Sequence, residues 1–142
     1  MSLYRLVYYS ENRVRTTDPA FKVELDEILS TSRRNNARVG VSGALMFSEG
    51  YFGQVLEGPQ LAIEATFERL QRDPRHSDVV LLEFMPAIAR VFPSWTMAYV
   101  GNQTGLFRGF DSAPSIDYRD LGQAVLSKLE DLVQTNAVFP LS

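Results

Sequence analysis

The chain has 142 residues, of which 45% are hydrophobic and 22% charged, and its formal net charge is -3 at pH 7. This length suffices for one domain with a hydrophobic core, and the composition is that of an ordinary globular protein. The acidic balance argues against direct nucleic-acid binding, and the lack of cysteine excludes disulfides, thiolate metal sites and cysteine nucleophiles. Because Arg5 interrupts the short apolar start and no stretch is long enough to span a bilayer, we expect a cytoplasmic protein without membrane contact.

A strand followed by a helix is predicted at the start of the chain. Residues 3–9 are rich in aliphatic and aromatic residues that favour strands, and a turn-prone run follows them. Asp18 and Pro19 have the form of a helix N-cap with proline in the first turn. Apolar residues continue at helical spacing, so the helix is expected to close at about Asn35 or Asn36.

A hairpin and a second helix come next. Residues 40–47 and 51–56 are strand-like, and the three residues between them predict a tight connection. Gly58 and Pro59 then open a helix that Pro74 stops.

Two further strands complete the predicted sheet, over residues 79–84 and 96–100. The order strand, helix, strand, strand, helix, strand indicates an α+β, ferredoxin-like βαββαβ fold. Both helices are then expected on one face of a mixed, mostly antiparallel five-stranded sheet, within a domain of residues 1–100.

The last part of the chain, residues 101–142, is predicted to be a linker and a C-terminal helix. Residues 101–117 are rich in Gly, Ser and Asp. Beyond them, Leu121, Val125 and Leu129 lie at the spacing of an amphipathic helix. This helix could cover the bare face of the sheet or form a dimer.

Two polar residues occupy positions where the pattern expects apolar ones. Gln54 shares a predicted core face with Phe52 and Leu56, and a buried amide needs hydrogen-bond partners. Tyr8 shares the inward parity of Leu6, which puts its phenol within reach of Gln54 on a neighbouring strand. A bound polar ligand could satisfy Gln54, although backbone groups or the opposite tyrosine could do the same.

Other candidate residues also have ordinary explanations. Asn35 and Asn36 could read the polar edge of a planar heterocycle or simply cap the helix. Arg69, Arg72 and Arg75 could meet phosphates or belong to a solvated helix face. His76, the lone histidine, is better explained as a surface or capping residue than as a catalytic one. No Walker motif, dinucleotide fingerprint or metal-ligand spacing occurs, so no metal site is expected.

Taken together, these residues resemble the BLUF family, the sensors of blue light using FAD, from Leu3 to about Val100. The motifs that carry the resemblance are Tyr4-Arg5-Leu6-Val7-Tyr8, Arg34-Asn35-Asn36, Gly40-Val41-Ser42-Gly43-Ala44-Leu45, Phe52-Gly53-Gln54-Val55-Leu56-Glu57-Gly58, Asp73-Pro74-Arg75-His76 and Trp95-Thr96-Met97. Gly53 departs from the bulky residue that many relatives carry before the glutamine.

The resemblance implies a bound flavin, FAD with FMN as an alternative, lying between the two helices. Tyr8 would be the photochemical electron donor, and Gln54 would link its hydroxyl to the flavin. Asn35 and Asn36 would hold the polar edge of the ring, and Ile28 would pack on its face. The neighbouring Tyr9, with its predicted outward direction, would not substitute for the donor.

The resemblance also implies a phosphate end and a signal path. The residues expected along the ribityl and phosphate end are Arg69, Asp73, Arg75 and His76. The residues expected to exchange places and pass the signal to the fifth strand are Trp95 and Met97.

The protein would then be a non-enzymatic photoreceptor, expected to be a homo-oligomer, that signals to a separate downstream protein. Two alternatives are an acylphosphatase-like hydrolase and a flavin-free interaction module.

Overall fold

The computed structural model of the chain describes residues 2–12, 20–48, 51–72, 76–92, 98–103 and 118–134. These residues form five strands and three helices. The elements in chain order are β1 (Leu3–Asn12), α1 (Ala20–Val39), β2 (Ser42–Ser48), β3 (Tyr51–Pro59), α2 (Gln60–Gln71), β4 (His76–Pro86), β5 (Ala98–Gln103) and α3 (Tyr118–Gln134). Within these described ranges, none of the helices combines the length and apolar character needed to cross a lipid bilayer.

The strands form one sheet in the order β4-β1-β3-β2-β5. Neighbouring strands among β1 to β4 run antiparallel, whereas β5 runs parallel to β2 at the edge. The predicted α+β fold is therefore confirmed, with an antiparallel sheet of four strands and three accompanying helices.

The sheet buries apolar side chains on both faces, because alternate residues of a strand point to opposite faces. One face packs against α1 and α2 and forms the helix-pair core, whose buried members are Leu6, Tyr8, Leu25, Ile28, Leu29, Val41, Leu45, Phe52, Leu56 and Ile63. The other face forms the α3-side core, whose buried members are Val7, Tyr9, Ala44, Met46, Val55, Leu82, Phe92, Val125 and Leu129. Of the two roles considered for the C-terminal helix, covering the bare face of the sheet is the one observed.

The first helix ends later than its sequence predicts. The sequence predicts Asn35 and Asn36 at the left-handed cap of α1, but both lie inside the helix. Gly40 adopts the left-handed conformation in their place, with φ 76°. The amide of Val41 donates to the carbonyl oxygen of Asn36 at 2.9 Å, which closes the helix in a Schellman motif. Glycine is favoured at this cap because a Cβ atom makes positive φ costly.

Two other boundaries differ from the prediction. Strand β3 continues past its predicted end at residue 56 to Pro59, while Pro59 also opens α2 as its N-cap, as predicted. Strand β5 continues to Gln103, so residues 101–103 belong to the sheet and not to the predicted linker. In both cases pairing with a neighbouring strand extends the sheet past a local sequence signal.

Strands β2 and β3 approach each other closely at Gly43. A Cβ atom at this position would overlap the carbonyl oxygen of Val55. Only glycine fits here without a shift of backbone, and this contact fixes β2 against the strand that carries Gln54.

Candidate functional site

Tyr8 and Gln54 face each other across two neighbouring strands on the helix-pair side of the sheet. They are directly paired in the antiparallel register of β1 and β3. Their exposed fractions are 0% and 2%, and the Tyr8 hydroxyl donates a hydrogen bond to Gln54 Oε1. The proximity predicted from strand parity is confirmed. The pair is buried and polar, which makes its geometry strongly specified.

Neighbouring aromatic residues fix the direction of each phenol. The ring of Phe67 on α2 lies 5.6 Å from the Tyr8 ring, tilted by 56°, and packs it into the helix-pair core. Tyr9 points to the other face, where its ring meets that of Tyr51 at 6.0 Å. Its predicted direction away from the helices is confirmed, but it is buried in the α3-side core and not in solvent.

A cavity opens between α1 and α2 above the sheet. The volume of this cavity is ≈ 100 Å³. The residues that line it are Ile28, Thr31, Ser32, Asn35, Asn36, Gln54, Leu56, Thr66, Arg69 and Leu70. Five of the predicted ligand-binding residues are thus brought together, namely Ile28, Asn35, Asn36, Gln54 and Arg69. Tyr8 is joined to this cavity through its hydrogen bond to Gln54.

The lining combines apolar walls with buried amides. Ile28 and Leu56 belong to the helix-pair core, whereas Asn36 and Gln54 are buried side chains that can both donate and accept. A planar heterocycle with alternating carbonyl and NH groups along one edge fits this donor set. The isoalloxazine ring of a flavin is such a group, so the residues present fit the cofactor that the sequence implies.

A cation lies at the open side of the cavity. Arg69 is exposed, and its Nη2 donates to Thr66 Oγ1 at 3.4 Å, while Thr66 Oγ1 donates to the carbonyl oxygen of Ala62 at 2.8 Å. Toward the described residues the Arg69 guanidinium makes this one hydrogen bond, which leaves donors for an anionic group outside the apolar part of the cavity.

Four of the predicted site residues lie outside the described residues, namely Asp73, Arg75, Trp95 and Met97. His76 is described only as the first residue of β4. The roles predicted for these five residues stay predictions.

Glu57 is a structurally important residue whose role the sequence reasoning missed. Its carboxylate is 0% exposed, on the face of β3 opposite to Gln54, and it binds Arg5 Nε at 2.9 Å. Glu57 also accepts hydrogen bonds from the backbone amides of Val91 and Phe92 at 2.9 and 2.8 Å. The available signal was a pair of opposite charges at matching positions of two strands, since Arg5 is the register partner of Glu57.

Comparison with known families identifies one match that covers most of the chain. The model of the BLUF family, described as sensors of blue light using FAD, matches residues 3–98. Over 97 residues the chain is 37% identical to the photoactivated adenylate cyclase subunit beta of Euglena gracilis, which covers 68% of this chain and 11% of that relative. It is 34% identical over 87 residues to the blue light- and temperature-regulated antirepressor BluF of Escherichia coli, covering 60% and 21%. The chain therefore spans only a small part of the length of these relatives.

Solved structures show the same fold. The dark-state structure of BlrB, a BLUF protein, superposes with a TM-score of 0.71 at 30% identity, covering 94% of this chain and 96% of that one. Klebsiella pneumoniae BlrP1 with FMN and cyclic diGMP gives a TM-score of 0.62 at 34% identity, covering 70% and 25%.

Proposed function

This chain belongs to the BLUF family, the sensors of blue light using FAD, and on that premise we propose that it senses blue light through Tyr8, Gln54 and a flavin bound between α1 and α2. The family's domain is a flavin-binding sensor module and not itself an enzyme. The observation that carries the proposal is the buried hydrogen bond from Tyr8 to Gln54 beside a cavity lined by amides. The comparisons lend no support to a hydrolase or to a flavin-free interaction module.

The frame of the site is a ferredoxin-like, five-stranded sheet within a flavin-binding domain of residues 1–100. The strand order β4-β1-β3-β2-β5 supports this frame, and the family match over residues 3–98 supports the domain. The remaining residues, 101–142, would supply a linker and α3.

In this proposal two elements, α1 and β3, would hold the ring of the flavin. Asn36 and Asn35 on α1 would bind its polar edge, Ile28 would pack on its face, and Gln54 on β3 would bind it from the sheet. Arg69 meets the ribityl or phosphate end, together with Asp73, Arg75 and His76. FAD and FMN carry the same isoalloxazine ring, so this site would also accept FMN. The FMN named in the BlrP1 structure supports this alternative.

A bound flavin would supply the absorption of blue light and the capacity to accept an electron. Tyr8 would give up an electron, and its hydroxyl proton would move to Gln54 Oε1 along the existing hydrogen bond. When the electron and proton return, Gln54 would remain rotated or tautomerised. Either change reverses the polarity that its amide presents to its two sides, at little steric cost. In this scheme Trp95 and Met97 would pass the new arrangement of Gln54 to β5.

The signal would reach a separate downstream protein, with the chain acting as a homo-oligomer. The named activities of the two relatives, an adenylate cyclase and an antirepressor, support an effector of the signalling class without identifying it.

An absorption spectrum of the purified protein, recorded in the dark and after blue light, tests the whole proposal. We expect flavin bands, a small shift to longer wavelength in the light and recovery in the dark. Red light of equal photon flux is the control, because flavin does not absorb it. Chromatography of the flavin released on denaturation distinguishes FAD from FMN. A protein that is colourless and stays colourless when supplied with FAD would contradict the proposal.

The buried amide on α1 gives a separate test of the binding cavity. Asn36→Ala removes one neutral hydrogen-bonding side chain, and we expect flavin affinity to fall about fivefold, since such a bond contributes about 1 kcal/mol. Equilibrium dialysis against FAD measures the affinity. Gln71→Ala, which removes an exposed amide from the end of α2, is the matched control. An unchanged affinity in Asn36→Ala would remove this residue from the site.

A further inference from the structure

The segment of residues 87–92 follows β4 without forming a helix or a strand, yet it is firmly bound to the sheet. The Ala87 amide donates to the Leu3 carbonyl oxygen at 2.9 Å, and Arg5 Nη2 donates to the Ala89 carbonyl oxygen at 2.9 Å. At its end, Phe92 is 1% exposed and belongs to the α3-side core. The segment thus joins the sheet to the core beneath α3.

Two charged side chains connect this segment to the sheet, one from β3 and one from the segment itself. The Glu57 carboxylate accepts from the amides of Val91 and Phe92 and from Arg5 Nε. Arg90 reaches back to the sheet, where its Nη1 donates to Ser42 Oγ at 2.8 Å and to the Glu57 carbonyl oxygen at 3.1 Å. Its Nη2 donates to the carbonyl oxygen of Gly40 at 2.7 Å. We call this set of bonds, centred on Glu57 and Arg90, the segment clamp.

The segment clamp is built on the strand that carries the photochemical glutamine. Gln54 and Glu57 are three residues apart on β3, so they point to opposite faces of the sheet. Gln54 faces the cavity, and Glu57 faces the segment and the α3-side core. A rearrangement of Gln54 that shifts β3 would therefore move two backbone amides on the far side of the sheet, because rigid, charge-assisted bonds connect them.

We propose that Glu57 is a positioning residue of the light response, which couples β3 to the α3-side core through the backbone of Val91 and Phe92. This inference rests on the proposed function, since it needs a light-driven change at Gln54. The carboxylate does not take part in the photochemistry. Its role is to make the segment and α3 follow the strand.

Glu57→Gln in the 142-residue chain with bound flavin tests this role. Glutamine keeps the size of the side chain, but its NH₂ group cannot accept a hydrogen bond. Because Arg5 Nε and the amides of Val91 and Phe92 are all donors, the substitution removes part of the hydrogen bonds that the carboxylate accepts. Hydrogen exchange by mass spectrometry, in the dark and under blue light, measures the response of peptides covering residues 87–92 and α3. We expect a light-minus-dark difference in both peptides of the unmodified protein. In Glu57→Gln we expect it to shrink at least threefold, while the flavin spectral shift keeps its full size.

Glu83→Gln is the matched control. Its carboxylate accepts from Gln123 Nε2 of α3 at 2.9 and 3.0 Å but does not bind the segment. We expect faster exchange of α3 in both dark and light, with the difference between them preserved. Arg90→Lys gives a second, milder disruption of the segment clamp should Glu57→Gln fail to fold, and it is expected to reduce the light-minus-dark difference as well.

The outcomes separate the two proposals. Loss of the spectral shift in the unmodified protein would overturn the proposed function itself. A normal spectral shift with no light-dependent exchange in residues 87–92 or α3 would overturn only the coupling role of Glu57. A difference that is undiminished in folded Glu57→Gln, or in folded Arg90→Lys, would do the same.

Discussion

Tyr8→Phe is expected to abolish the light-induced spectral shift while flavin remains bound. The substitution removes the electron donor's hydroxyl and the proton that moves to Gln54, but it keeps the ring that packs against Phe67. Without a donor, the excited flavin returns by emission, so flavin fluorescence is expected to rise. Absorption spectra before and after blue light, with the fluorescence yield of the bound flavin, measure both effects.

The control for this variant is the neighbouring phenol. Tyr9→Phe removes a hydroxyl of the same kind on the next residue, but its ring lies on the other face of the sheet, in the α3-side core. It should therefore keep the spectral shift and the low flavin fluorescence. A shift that survives in Tyr8→Phe would show that another group donates the electron, and its loss in Tyr9→Phe would point to that residue.

The pairing of Tyr8 with Gln54 could be predicted because it depends only on strand parity and on neighbouring strands. Period two fixes the face of each side chain, and the helices require an apolar face beneath them. A polar residue within such a face must meet a partner, which reduces the choices to a few. That Tyr8 and Gln54 are directly opposite also depends on which strands are neighbours and on how those strands are aligned. Strand parity alone gives neither.

The ends of elements and the segment clamp could not be predicted in the same way. The sequence suggests Asn36 as a cap because asparagine tolerates left-handed geometry. Glycine tolerates that geometry better, and α1 therefore continues to Val39 and is capped by Gly40. Glu57 and Arg90 meet only after the chain has passed through a helix and a strand. Contacts so distant in sequence depend on where an irregular segment crosses the sheet, and no local periodicity encodes that path.

The polar side chains that line the cavity, among the residues the structure describes, are amides, hydroxyls and one arginine. Amides are suited to exchanging one hydrogen-bond arrangement for another, because one end donates and the other accepts. The residue that combines this property with a direct bond to a phenol is Gln54.

Gln54→Leu is expected to abolish the spectral shift for a different reason. Leucine approximately keeps the volume of the side chain but cannot rearrange hydrogen bonds, so no altered arrangement survives the return of the electron. Because Tyr8 remains as a donor, flavin fluorescence should stay lower than in Tyr8→Phe. The same spectra and fluorescence measurements separate the two variants, and Gln71→Leu on the exposed end of α2 controls for the loss of an amide.

The two substitutions together test whether Tyr8 and Gln54 act as a bonded pair. Each single variant removes the hydrogen bond from Tyr8 to Gln54 and deprives the remaining buried polar group of that partner, which costs about 1–3 kcal/mol of unfolding free energy. In Tyr8→Phe/Gln54→Leu neither group remains, so the double variant should lose less than the sum of the single losses, with a coupling energy of roughly 1–2 kcal/mol. Urea unfolding at one saturating FAD concentration measures the losses, after correction for the flavin affinity of each variant. Strictly additive losses would contradict the bond, because additivity is the behaviour of sites that do not interact.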